Sequence, residues 1–356
     1  MADNCTWFGA QPSSSSQCVT ITVVKRITAT FSLIGCFCML IVIWLFRKYN
    51  SLAQKMILSL AIAAFFDSIA YVMSEVLPDG VLCNFQAWWL TYFDWCALAW
   101  VSSITLNLYL NVVKEMRTDQ YQLAYHFTAW GVPFILSCLP LFGDLYGPAG
   151  AWCWITDEHV AWRFVVWYIP LFTLIFLMML CYLRIIYVAK QRVQTVLSLS
   201  FPVMHQTLQV ITWSGTYDPG RERSKIIMAE EIKTLKWYPC VYLAVSLFPL
   251  LNRIHNAFYP SHPVFILTLL HVMSAPLHGL ANTIVFVLDK ETWSQLTMTS
   301  LRVAFQSRLC DRTKITEYHP SRVRYMTQID EEDSDSGDDT TVLFSMPSMT
   351  LRAKGP

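Results

Sequence analysis

The sequence predicts an all-α membrane protein, a seven-transmembrane helix bundle with a short amphipathic helix after the seventh span. Three observations predict it. The 356 residues are 54% hydrophobic and 14% aromatic but only 14% charged, and their mean hydropathy of +0.39 lies outside the range of ordinary soluble domains. The apolar residues gather into seven blocks, at roughly 22–46, 53–77, 84–112, 122–146, 161–188, 237–259 and 263–288, each able to supply the about 20 residues of a helical crossing. The charges sit mainly between those blocks. Formal net charge is only +1, so no overall field points to nucleic acid or to an acidic substrate, and no nucleic-acid partner is expected.

Residues 1–20 form a short tail with the sequon Asn4-Cys5-Thr6, which makes Asn4 a candidate glycosylation site. The tail lacks the apolar core of a cleavable signal, so the first span is expected to act as the signal itself. Cys5 and Cys18 either pair or stay apart. The bundle, 21–289, then alternates in the charge of its connections. Arg47 and Lys48, Lys114 and Arg117, the 189–236 loop with Lys233 and Lys236, and the segment after the seventh block are basic. Glu75, Asp79, Asp144, Asp157 and Glu158 occupy the others. Positive charge stays on the cytoplasmic side, so the amino terminus is expected outside and the carboxy terminus inside a plasma membrane. Cys83 at the start of the third block and Cys153 in "GAWCWITDE" then share the oxidising side, where a bridge would pin that loop over the bundle. Trp152 and Trp154 beside it either meet a ligand or anchor the loop at the interface.

The long loop contains "VLSLSFPVMHQTLQVITW". Pro202, His205, Gln206 and Gln209 interrupt it, and an eighth crossing would carry the basic region outside, so it reads as a loop or an interfacial helix. "RSKIIMAEEIKTLKW" has the Glu and Lys spacing of a solvated extension of the sixth helix. Over 290–310, Trp293, Leu296, Leu301, Ala304, Phe305 and Leu309 fall near one helical face, with Lys290, Arg302 and Arg308 elsewhere. Cys310 at its end is a lipidation candidate or a plain thiol. Residues 311–356, with "DEEDSDSGDDTT", form an acidic cytoplasmic tail too poor in apolar residues to fold alone. Ser334 and Ser336 in it are phosphorylation candidates or solubilising residues only.

Polar side chains inside a membrane helix are costly, so they face the bundle, water or a ligand. Helical rise places Asp94, Arg253 and His271 together in the outer half, with Trp154 above them, and Asp67, His278 and Asn282 in a deeper layer. The first group is the expected ligand pocket. Arg253 would be kept charged there by Asp94 or Glu75, by water, or by an anionic group of a ligand; the alternative is that it snorkels to the headgroups. Lys25, Arg26 and Arg163 lie near the same rim and favour an anion, or serve as interface anchors. Pro170, Pro239, Pro249 and Pro276 each remove a backbone donor and provide kinks.

Together "FPLLNRIHN" in the sixth block, "APLHGLANTIVF" in the seventh and "GAWCWI" before the fifth resemble the cyclic-AMP-receptor-like family of seven-transmembrane G-protein-coupled receptors, itself similar to the secretin-like receptors. The resemblance covers roughly residues 20–310, without 195–220. It implies a receptor, not an enzyme, that passes an extracellular signal to a heterotrimeric G protein. Lys114, Arg117, Lys233 and Lys236 would face the G protein, and receptor kinases and arrestin-like proteins are further partners it implies. The ligand's identity does not follow from the resemblance. No cofactor or metal is expected: the seventh block lacks the lysine a retinal Schiff base requires, and no two helices present facing histidines for a haem. The alternative reading is a multi-pass transporter of a small molecule, although the two halves show no repeat.

Overall fold

The computed structural model describes residues 12–73, 80–116, 118–149, 152–203, 235, 237–259 and 264–309. Three continuous helices come first: α1 (Pro12–Leu45), α2 (Leu52–Met73) and α3 (Val81–Val112). The fourth, α4 (Asp119–Phe142), opens with a 3-10 turn and widens into a π-turn at Phe127–Gly131. A hairpin follows, β1 (Tyr146–Ala149) antiparallel to β2 (Trp152–Ile155), with Tyr146 opposite Ile155. Helix α5 starts at Val160, passes through a π-turn at Phe164–Tyr168 and continues as Ile169–Val203. Both π-turns lie just ahead of a proline, Pro133 and Pro170, which has no N–H to give the turn before it. Helix α6 is Trp237–Phe258, and α7 (Phe265–Leu288) is broken by a 3-10 turn at Ala275–Leu277.

Each predicted block is therefore a helix. The fifth runs further than expected, to Val203, well into the segment read as a loop. Six of the helices are long and apolar enough to cross a membrane. The remaining one, α6, spans 22 residues but carries Asn252, Arg253, His255 and Asn256 near its end, which lowers its hydropathy. With six such spans the chain is a multi-pass, all-α membrane protein. Along α1, Val19, Val23, Ile27, Phe31, Ile34, Phe37, Ile41 and Trp44 are exposed at helical spacing. An apolar stripe of that length suits lipid rather than water.

Residues up to Ser294 form one compact unit and those from Gln295 a second. The single helix expected over 290–310 is divided into α8 (Lys290–Gln295) and α9 (Met298–Leu309). Thr297 makes the division: its Oγ1 accepts from the Ser300 amide at 3.3 Å and its carbonyl accepts from the Leu301 amide at 2.9 Å, as an N-cap does. Within the first unit α3 is the hub, packing against α2, α4, α5, α6 and both strands. Its Trp100, Val101, Ile104 and Leu108 are fully buried.

Helices α1 and α7 approach closely. A Cβ built on Gly279 would sit 2.4 Å from both Cys36 Sγ and Ser32 Oγ, and one on Gly35 would sit 3.2 Å from Leu280 Cδ1. In lipid, where water does not drive helices together, such small-residue contacts carry helix association through van der Waals packing. Gly279→Ala should therefore lower stability by about 1–3 kcal/mol through overpacking, whereas Gly131→Ala, with nothing nearer than 3.9 Å, should change it little. Thermal unfolding of the detergent-solubilised chain compares the two.

Candidate ligand site

Arg253 reaches the middle of the bundle from α6 and is only 8% exposed, so it does not snorkel to a surface. Its guanidinium carbon stands 4.2 Å from the ring centre of Trp154, with Trp152 at 5.8 Å and Trp167 at 5.9 Å. Three indole faces thus surround one cation, and a desolvated cation over an indole gains about 2 kcal/mol or more. No carboxylate among the described residues is in ion-pair contact with it. Glu75, one of the two counter-charges considered above, lies outside the described residues. Asp94, the other, lines the same cavity and acts on Arg253 through the field rather than by contact.

The hairpin supplies two of the indoles, and several contacts hold it in place. Cys83 and Cys153 form a disulfide with Cα atoms 5.4 Å apart, tying β2 to the first turn of α3. Arg163 donates from Nε to the Ile155 carbonyl at 2.9 Å and from a second nitrogen to the same oxygen. Its guanidinium also stands 5.1 Å from the Trp154 ring centre, so that indole meets both Arg163 and Arg253. The Tyr146 hydroxyl on β1 donates to the Ser137 carbonyl of α4 at 2.9 Å. Burial pushes that phenol's pKa up, which keeps it a donor. Trp152 meets the edge of His271, with ring centres 5.4 Å apart, and Lys25 of α1 sits 5.8 Å from the same indole.

Below Arg253 a cavity of about 40 Å³ is lined by Asp94, Tyr71, Tyr242, Ser246, His271 and His278 among others. That volume holds a few waters. From α6 its lining is Tyr242, Ser246, Pro249, Leu250 and Arg253, residues spaced 4, 3, 1 and 3 apart, which is one helical face. The two histidines are fixed by partners. Asn252 Nδ2 lies 2.8 Å from His271 Nδ1, so as placed the amide donates and the proton of His271 is on Nε2. His278 Nδ1 donates to the Ala275 carbonyl at 2.5 Å, and its Nε2 accepts from Ser246 Oγ at 3.0 Å. Tyr242 stacks on the His278 ring with centres 4.7 Å apart.

Asp94, Arg253 and His271 are thus brought to one cavity, with Trp154 against Arg253. His278 lines that cavity too rather than belonging to a separate deeper layer, because the cavity extends along the two turns of α7 between His271 and His278. Asp67 and Asn282 are buried elsewhere, Asp67 on α2 with Oδ1 lacking a hydrogen-bond partner. Lys114 is exposed just beyond α3. Asn4, Arg117, Lys233, Lys236, Cys310, Ser334 and Ser336 lie outside the described residues, as does Cys5, while Cys18 is disulfide-bonded. Among the described residues no cluster of His, Cys, Asp or Glu is arranged to hold a metal. Trp167, Tyr71, Tyr242 and Ser246 went unmarked in the sequence. The α6 members were legible as the helical stripe that contains Arg253; Trp167 and Tyr71 carried no such signal.

A model of the slime mold cyclic AMP receptor family matches residues 13–310. The chain belongs to that family. It is 20% identical over 327 residues to cyclic AMP receptor-like protein A of Dictyostelium discoideum, covering 92% of this chain and 80% of that protein. It is 24% identical over 273 residues to G-protein coupled receptor 1 of Arabidopsis thaliana, with 75% and 77% covered. Against cyclic AMP receptor 1 of Dictyostelium discoideum it is 23% identical over 272 residues, 75% of this chain but 63% of that receptor. The matched span takes in every residue that lines the cavity, from Tyr71 on α2 to His278 on α7. As a family member the chain is a membrane receptor of the G-protein-coupled type rather than an enzyme.

The Arg253 cage yields a direct expectation. Trp154→Leu should lower stability by about 2–4 kcal/mol, because it both opens a cavity and uncovers a buried charge. Arg253→Met in that background should recover at least half of the loss, since the charge that needs covering is then gone. Thermal unfolding of the wild type, both single variants and the double variant measures the coupling.

Proposed function

We propose that the chain is a seven-span plasma-membrane receptor, amino terminus outside and carboxy terminus in the cytoplasm, in which a small anion entering the Arg253 cavity drives nucleotide exchange on a heterotrimeric G protein. The observation that carries this reading is a buried guanidinium held by aromatic faces, with no carboxylate among the described residues in contact. An anionic group offers Arg253 a charge-assisted, two-pronged partner stronger than an indole face. Ligand binding would then move Arg253 off Trp154 and release the hairpin and α6 from one another. Only a ligand that binds the rearranged state better than the resting one shifts the balance between them.

A seventh crossing by α6 is supported by its 22 residues, which at about 1.5 Å each reach across a hydrocarbon core of about 30 Å. Its low hydropathy comes partly from Asn252 and Arg253, which are buried within the bundle and not presented to lipid. The Cys83–Cys153 bridge needs an oxidising compartment, which favours placing the hairpin end outside. Lys114, Arg117, Lys233 and Lys236 then face the G protein, Ser334 and Ser336 serve receptor kinases and arrestin-like proteins, Cys310 takes a lipid and Asn4 a glycan.

Cyclic AMP is the first ligand to test, because two of the relatives carry its name. Its one phosphodiester charge matches one guanidinium, and its purine can stack where that guanidinium leaves an indole. The resting cavity of about 40 Å³ is too small for it, so the cage must open for it to bind. In cells, G-protein activation by cyclic AMP and a panel of other small anions should shift to at least about 30-fold higher concentration in Arg253→Ala, the loss expected for one partner of a buried charge pair. Arg253→Lys should fall between. Equal responses at equal surface expression would remove Arg253 from the ligand site.

A further inference from the structure

Helix α7 is in two pieces, and α1 supplies hydrogen-bonding groups at the break. Pro276 has no N–H to offer the Val272 carbonyl one turn earlier. Thr28 Oγ1 of α1 lies 3.2 Å from that carbonyl oxygen. On the far side of the 3-10 turn the second piece starts at His278, and its first-turn amides lack the full set of intrahelical acceptors. Ser32 Oγ, one turn along α1 from Thr28, accepts from the Leu280 amide at 3.1 Å and from Ser68 Oγ at 3.1 Å. Gly279, between these contacts, lets the two backbones approach this closely.

We infer that Thr28 and Ser32 are positioning residues for the cavity: they hold the two pieces of α7 at the angle that places His271 above the break and His278 below it. Thr28 has one hydroxyl hydrogen but three acceptors in reach, Val272 across the seam and Val24 and Lys25 on its own helix at 3.0 Å each. When the upper piece of α7 moves away, that hydrogen turns back to α1, so the motion leaves no hydroxyl unpaired. Ser32 keeps the lower piece docked meanwhile. The break is thereby a hinge with a fixed lower arm and a releasable upper arm. What it does for a ligand rests on the reading of the cavity given above; the hinge itself does not.

A double-mutant cycle on the full chain in detergent separates the two ideas, since it needs no ligand. Thr28→Val should lower the thermal midpoint by about 1–2 °C, the shift expected for one interhelical hydrogen bond in a chain of this size, and Thr28→Ser should retain the wild-type value. In a Pro276→Ala background residue 276 regains an N–H for Val272, and Thr28→Val should then cost less than half as much. An equal drop in both backgrounds, or none in either, overturns the assignment. Hydrogen exchange covers the case in which Pro276→Ala does not fold. Ser32→Ala should speed exchange of the Leu280 amide by about fivefold, with the amides in the first half of α2 unaffected. Unchanged exchange at Leu280 likewise overturns it.

Discussion

A permanent cation in a bundle surrounded by lipid is the constraint from which much of this structure follows. Arg253 cannot shed its proton, and leaving it uncompensated would cost several kcal/mol. The fold answers with aromatic faces, two of them on a short hairpin that packs over the bundle and the third on α5. Those faces help only while the hairpin stays down, which makes the disulfide to α3 and the grip of Arg163 on the Ile155 carbonyl parts of the same arrangement. Arg163 brings a second cation to Trp154, so the indole is shared between two positive groups. Two guanidiniums thus share one aromatic surface, with the Asp94 carboxyl group on the wall of the adjoining cavity.

Much of this was legible from residue types and spacing. The apolar blocks gave the helices, because lipid leaves no alternative to long apolar runs. Cys83 and Cys153 gave the bridge, because the topology put both at one end. Depth along each helix brought Asp94, Arg253 and His271 near one another, since rise per residue is nearly constant. The phase of the helices was harder. Which residues of α4 and α5 turn toward the bundle depends on the π-turns before Pro133 and Pro170, and a proline alone signals an altered turn without saying whether it tightens or widens. The separate deep layer failed for His278 because depth alone does not bound a cavity. The division between α8 and α9 had no glycine or proline to announce it; Thr297, an ordinary residue inside an apparently amphipathic run, makes it.

The seam between α1 and α7 shows a second solution to the same shortage of water. Gly35 and Gly279 allow contact close enough for hydroxyls to reach backbone groups across it. In a soluble bundle, solvent could satisfy the groups that Pro276 leaves over. Here the neighbouring helix has to do so, and sequence offers no way of knowing that α1 is that neighbour.

The hairpin has one further property. All four residues of β2 are buried, so neither face of the strand is available for gradual wetting, and its ladder with β1 keeps the pair together. The sulfur link to α3, the Arg163 hydrogen bonds to the Ile155 carbonyl and the Tyr146 hydroxyl on the Ser137 carbonyl fix it at three separate points. Lifting the hairpin would therefore mean giving up those holds together with the burial of a whole strand, a cooperative change in place of a gradual one.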